Sequence, residues 1–200
     1  MNRAAEEFLT TQKKRRSVRH FSTDDVPLNV IRKCIETAAQ APSGANKQPW
    51  SFVLVTDPST KKEIRIGAEK EEREFYESRA SERWLNDLKP FDTNENKECL
   101  EHAPALIVIF AQRHGQEKKD QHYYVNESVG IASGILLAAL HNAGLATLTH
   151  TPSPMKFLHK ILNRPENERA YLLIPVGYPI ENCTVPAIHR KEIEDYLTEI

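Results

Sequence analysis

The spacing of hydrophobic positions changes along this chain, and each change marks an element. Val30, Ile31, Cys34, Ile35, Ala38 and Ala39 recur at helical intervals, which predicts an α-helix with one buried face. Asp24-Asp25 and Pro27 precede the run as helix-starting residues. Ala41-Pro42-Ser43-Gly44 ends it, because a residue before proline is pushed out of the α region and glycine weakens the helix further. Ser51 to Thr56 is a short β-branched run and predicts a strand. Residues 58–97 are densely charged, with helical patches broken near Pro90. Ala105 to Phe110 is apolar without alternation, the pattern of a strand covered on both faces. Gln121 to Asn142 is the longest helical candidate. From Val129 to Leu140 it is apolar nearly all round, with small residues at Gly130, Ala132, Ser133 and Gly134. Such a helix needs burial on every side, inside a core or across a subunit interface. Two further strands are predicted at Leu145 to Thr149 and Tyr171 to Val176, with a helix at Met155 to Leu162 between them. The pattern assigns no element before Asp24, and it leaves a polar arm at residues 185–200 that can wrap a neighbour. Mixed strands and helices around a buried helix indicate the α+β class.

Composition narrows the function classes. With 200 residues, 40% hydrophobic, and no internal repeat or Gly/Ser linker, the chain reads as a single domain over residues 1–200. A net charge of −1 provides no polybasic field for nucleic acid or anionic lipid. Cys34, Cys99 and Cys183 form no CxxC pair, which argues for reduced thiols in a cytoplasmic protein rather than a disulfide framework. The amino terminus lacks an apolar signal core. The longest apolar stretches, Ala103 to Phe110 and Ile131 to Leu140, are too short to span a bilayer. The expectation is a soluble cytoplasmic protein with neither nucleic-acid nor membrane partners.

Two clusters suggest a ligand. Lys13-Lys14-Arg15-Arg16-Ser17-Val18-Arg19 offers guanidinium groups and a hydroxyl suited to phosphate, or else a solvated basic stretch. Ala41-Pro42-Ser43-Gly44-Ala45-Asn46-Lys47-Gln48-Pro49-Trp50 keeps backbone donors out of a helix and available, or simply joins helix to strand. No GxGxxG follows a strand and no GxxxxGK[ST] occurs, so Rossmann and P-loop sites have no support. The eight histidines include no i, i+4 pair and no HExxH, so no metal site is expected. A GxSxG elbow is also missing. Residue chemistry alone therefore reaches an α+β domain with a candidate site for a phosphorylated ligand.

The clusters together carry more than either does singly. RRSVRHF followed one helix later by APSGANKQPW resembles the opening of the FMN-dependent nitroreductase superfamily. AGLATLTHTP at Ala143 to Pro152, LLIPVGYP at Leu172 to Pro179 and the late arginine of VPAIHRK continue that resemblance in order across Arg15 to Lys191. The insert at residues 69–100 resembles the active-site lid of the iodotyrosine deiodinase subgroup, with Glu72, Tyr76 and Lys97 at the matching positions. Arg83-Trp84, Asp87-Leu88-Lys89 and His122-Tyr123-Tyr124 also fit that subgroup. Leu148 and His150 interrupt a threonine run of the animal enzymes, and Asn46-Lys47-Gln48 sits nearer the general nitroreductase pattern.

The resemblance implies a central mixed sheet flanked by helices in a domain-swapped homodimer, with FMN as cofactor and an active-site lid. It implies that Arg15, Arg16, Ser17 and Arg190, with Val18 in the same segment, serve the FMN phosphate end. Arg19 would lie near the N1/O2 edge. Pro42, Ser43 and Gly44 would line the cofactor from the facing subunit, and Thr149, His150 and Thr151 would follow the N5 edge. Thr151 would donate a hydroxyl to N5, the one catalytic assignment. Glu72 would take the substrate ammonium, Lys97 its carboxylate, and Tyr76 would supply a hydroxyl; the Ala45 N–H would hold a phenolate. The implied reaction is reductive dehalogenation of a halotyrosine, with NAD(P)H or a reductase as electron donor. A general nitroreductase or quinone reductase and a non-catalytic flavin-binding protein are the rival readings.

Overall fold

The computed structural model describes residues 1–200. Its centre is β2 (Ala105–Gln112), every residue of which from Ala105 to Phe110 is fully buried. β2 pairs antiparallel with β1 (Trp50–Val55) on one side and with β4 (Glu168–Gly177) on the other. β3, only Ala146–Thr147, pairs antiparallel with the far edge of β4, giving the order β1-β2-β4-β3. All three ladders of the expected mixed sheet are therefore antiparallel. Its parallel element is the isolated bridge between Ser17 and Thr147.

Alternation along β2 divides the core into two layers. Ala105, Ile107, Ile109 and Ala111 join a cluster with Ile31, Cys34 and Ala38 of α2 (Leu28–Ala38) and Val129, Ala132, Leu136 and Leu140 of α6 (Val125–Asn142). Leu106, Val108 and Phe110 point to the opposite layer. There they meet Ile64 and Ala68 of α3 (Pro58–Glu74), Leu100 of α5 (Cys99–His102) and Leu158 of α7 (Lys156–Ile161). Helices on both faces explain why β2 lacks polar alternation. Asp57 caps α3 by accepting from the Thr60 N–H at 2.8 Å, and its carboxyl is held down to about 2 by bonds from Ser59 and Thr60.

Three departures from the sequence pattern are informative. α1 (Asn2–Lys14) forms where the pattern assigned nothing, yet none of its residues is buried. Its larger apolar side chains, Phe8 and Leu9, stay more than half exposed instead of joining this chain's core. α6 begins at Val125, because Tyr124 adopts a left-handed conformation with φ 49° and stops the helix from extending back to Gln121. Within the chain α6 buries one face only, for Ile131 stays 46% exposed and Gly134 is exposed, with open space where a Cβ would stand. Leu145 to Thr149 supplies only a two-residue strand, followed by a second contact at the His150–Leu173 bridge. No helix is long and apolar enough to cross a membrane.

Candidate active site

The basic segment and the LTHTP segment meet because the amide of Val18 donates to the Thr147 carbonyl at 3.0 Å, beside the Ser17–Thr147 bridge. This contact brings the phosphate-seeking arginines to the edge of the sheet. Arg15 is partly buried, and burial, then Arg190, then Arg16, push its guanidinium pKa below the ordinary value. Arg190 thus joins the cluster from far along the chain. Arg16 anchors the C-terminal arm here by donating to the Pro186 carbonyl. Mutually repelling guanidiniums with no carboxylate between them fit a phosphate monoester, whose charge would relieve the repulsion. The FMN phosphate fits these residues.

A cavity of about 1050 Å³ opens beside this edge. Its walls include Arg19 from the basic segment, Glu72, Tyr76 and Lys97 from the insert, and Thr149, His150 and Thr151. Three segments distant in sequence thus meet at one place. Thr149 and Thr151 are exposed and His150 between them is buried, the alternation of an extended edge. The His150 and Leu173 amides and carbonyls exchange hydrogen bonds of 2.9 and 3.0 Å, which holds the segment extended. Arg19 makes no ion pair and leaves a positive charge on the wall. A cation there suits an anionic edge of a flavin or of a phenol.

The insert folds so that its two charges find each other. α3 runs to Glu74 and continues through a wider π turn at Phe75–Arg79 before α4 (Glu82–Leu88). Glu72 and Tyr76 are four apart across that junction and both reach the cavity. Lys97 Nζ lies 3.0 Å from Glu72 Oε2, with the two side chains only 7% and 14% exposed. Lys97 Nζ also donates to the Asn94 carbonyl and lies 5.7 Å from the Tyr76 ring centroid. A desolvated pair of this kind is tolerated because each charge has a partner. The Lys97 amide donates to Glu69 Oε1 at 2.9 Å, and Glu69 in turn accepts from Arg65 at 2.7 Å, which ties the end of the insert to α3. The Tyr76 hydroxyl donates to Thr93 Oγ1 at 3.2 Å. Burial raises the Tyr76 pKa, so its phenol remains a neutral donor.

Phe75 packs edge-on against both Tyr76 and Trp84, with centroids 5.3 and 4.9 Å away, and completes an aromatic wall. Phe75, Thr93, Cys99 and Met155 line the cavity without having been foreseen. Thr93 had no sequence signal. Phe75 had one in its position next to Tyr76, where the helix changes pitch.

Pro42, Ser43, Gly44 and Ala45 do not line this cavity. They form a separate turn against α6, where the Gly44 amide donates to Ser128 Oγ at 3.3 Å. The resemblance implies that Pro42, Ser43 and Gly44 line the cofactor from a facing subunit, and within one chain they stand outside the cavity.

His150 gives the site a pH signature. Burial first, then the charges of Lys97 and Arg19, push its pKa from 6.5 to about 3, and its Nε2 has no partner within the chain. The folded protein keeps the ring neutral where the unfolded chain takes up a proton. This term is therefore absent above pH 6.5 and costs stability as pH falls from 6.5 towards 3. The limiting slope is about 1.4 kcal/mol per pH unit. His150→Asn is expected to remove up to one proton's worth of that acid-side slope, read from urea unfolding at a series of pH values. An unchanged slope would show that the ring titrates normally.

The Nitroreductase family model matches residues 13–178. The iodotyrosine deiodinase of Haliscomenobacter hydrossis is 56% identical over 191 residues, covering 93% of this chain and 85% of that protein. Human iodotyrosine deiodinase 1 is 47% identical over 206 aligned positions, covering 100% of this chain and 71% of the human one. Among solved structures, an oxidized iodotyrosine deiodinase bound to FMN and 3-iodo-L-tyrosine superposes with a TM-score of 0.82 at 32% identity, covering 96% of this chain and 100% of that one.

Proposed function

Since the chain belongs to the nitroreductase family, and within it to the iodotyrosine deiodinases, we propose that it is an FMN-dependent oxidoreductase that converts 3-iodo-L-tyrosine to L-tyrosine and iodide. The reaction replaces a carbon–halogen bond by carbon–hydrogen and consumes two electrons and one proton. FMN, when bound and reduced, would supply the two electrons. The observation that carries the reading is the buried Glu72–Lys97 pair beside the Tyr76 hydroxyl. An uncharged nitroarene has no use for it. An amino-acid zwitterion fits it, because its ammonium can replace Lys97 at Glu72 while its carboxylate takes Lys97. Each charge then exchanges one partner for another and none is left bare.

The remaining residues follow from the same reading. Residues 69–100 act as the lid, closing over the substrate to exclude water, and residues 185–200 act as the arm of one domain spanning 1–200. Arg15, Arg16, Ser17, Val18 and Arg190 hold the FMN phosphate end, and Arg19 holds the anionic edge of the ring. Thr149, His150 and Thr151 follow its N5 edge, with the Thr151 hydroxyl as donor. Pro42, Ser43, Gly44 and Ala45 come from a second copy of the chain, and the Ala45 amide takes the phenolate. The homodimer is supported by apolar surface left exposed on α6 and α1, including Ile131, Phe8 and Leu9. NAD(P)H or a separate reductase supplies electrons in the cytoplasm, where the three free cysteines suit a reducing compartment.

Titration of the flavin fluorescence of the FMN-loaded protein tests the proposal. Expected are strong quenching by 3-iodotyrosine, weak quenching by tyrosine and by a nitrophenol, and iodide release on reduction. Equal response to all three ligands would leave a general FMN reductase, to be assayed next with nitroaromatics.

A further inference from the structure

The turn carrying Ala45 is held in an unfavourable conformation. Ala45, Asn46 and Gln48 have φ of 49°, 53° and 48°, a left-handed region that costs a residue with a Cβ on the order of 1 kcal/mol or more. Such a turn persists only where its surroundings over-determine it. Its amides are accounted for one by one. Asn46 N–H donates to the Ser43 carbonyl at 3.0 Å and Lys47 N–H to the Gly44 carbonyl at 3.1 Å. Gln48 N–H donates to Ser43 Oγ at 2.9 Å, and Gly44 N–H to Ser128 Oγ at 3.3 Å. Ala45 N–H, like Ser43 N–H at the start of the turn, finds no acceptor in the chain, but Ala45 lies between two amides that do. A free amide flanked by satisfied ones is a donor aimed by its neighbours.

The aim is set from α6. Ser128 is 2% exposed, and its hydroxyl donates to the Tyr124 carbonyl at 2.7 Å while accepting from Gly44. Gly44 is pressed against the same segment, for a Cβ there would stand 2.7 Å from the Tyr123 carbonyl oxygen. On the far side, Lys47 pairs with Asp120 at 2.5 Å, but both side chains are substantially exposed and hold the turn weakly.

We infer that Ser128 is a positioning residue for phenolate recognition, fixing Gly44 and thereby directing the Ala45 amide at the ionised phenol of the substrate. The inference rests on the proposed function. Ser128 touches neither substrate nor cofactor in this assignment. Removing its hydroxyl leaves the Gly44 amide unpaired and lets the turn relax from its left-handed form, which moves the neighbouring donor. The loss should therefore fall chiefly on the phenolate contact, made by the displaced amide itself, and far less on flavin or zwitterion binding.

The test uses FMN-loaded protein and two probes, 3-iodotyrosine and its O-methyl ether, which cannot ionise. In the wild type, affinity for 3-iodotyrosine rises with pH as its phenol ionises, while the ether shows no such step. Ser128→Ala is expected to weaken 3-iodotyrosine binding about tenfold and to flatten the pH step. FMN affinity and ether binding should fall far less than 3-iodotyrosine binding, and Ser128→Thr should restore the step. If Ser128→Ala retains flavin poorly, Ser128→Cys, a weaker acceptor of similar size, is expected to fall between alanine and wild type. A full pH step in Ser128→Ala, or equal weakening of both probes and FMN, would overturn the positioning role. A wild type that binds both probes alike would instead defeat the functional reading, and this inference with it.

Discussion

Glu72→Gln is expected to invert the protein's preference between amino-acid and deaminated ligands. In the free protein Glu72 and Lys97 neutralise each other at 3.0 Å in a nearly dry setting. A zwitterion replaces one ion pair by two. A halophenol carrying only the propionate breaks that pair and leaves Glu72 bare, and a halotyramine leaves Lys97 bare. An unpaired buried charge costs about 3 kcal/mol or more, so the wild type should discriminate against either by on the order of 100-fold. Removing the Glu72 charge reverses part of this. The substrate ammonium now lacks a partner, and 3-iodotyrosine should lose about 30- to 100-fold in affinity. The deaminated iodophenylpropionate should gain, because Lys97 is already unpaired in the variant and the carboxylate relieves it. Lys97→Gln should mirror the result, favouring iodotyramine. Flavin-quenching titrations of the three ligands against three proteins measure the whole set. Parallel loss of all ligands in Glu72→Gln would mean that the residue merely holds the lid together.

Arg15→Ala is expected to weaken FMN binding by about 30- to 100-fold without destabilising the protein that lacks it. A charge-assisted contact to phosphate is worth about 2–3 kcal/mol when partly buried. The same guanidinium opposes folding of the empty cluster, because burial and the neighbouring Arg190 and Arg16 all disfavour its charge. The two effects therefore have opposite signs. Thermal unfolding without FMN should leave Tm unchanged or raise it, while the Tm gain on adding FMN should shrink in line with the lost affinity. Riboflavin, which has no phosphate, should bind wild type and Arg15→Ala equally. A similar loss of riboflavin binding would mean that Arg15 supports the fold of the segment and not the phosphate contact.

Periodicity was enough for the elements whose burial lies within this chain. The helix at Val30 to Ala39, the buried strand at Ala105 to Phe110 and the strand at Tyr171 to Val176 all have counterparts with shifted ends. Each owes its pattern to contacts on one or both faces of the same sheet, and such contacts impose a repeat on the residues. α1 escaped because the chain covers it only near its end, where His141 of α6 meets the Thr11 carbonyl, and none of its residues is buried. Motif order carried the family, and the residue types of Arg15, Glu72 and Lys97 carried the kind of charge they would meet. Only the tertiary structure decided which charges are neighbours. Glu72 and Lys97 lie 25 positions apart, and their pairing depends on the insert doubling back through a π turn and a loop whose local sequence specifies neither. The aim of the Ala45 amide is likewise invisible in APSGAN, because it is set by Ser128 on a helix that begins some 80 residues later. Sequence encodes local conformation and burial through short-range repetition; the pairing of distant polar groups is settled by packing, which leaves no periodic trace.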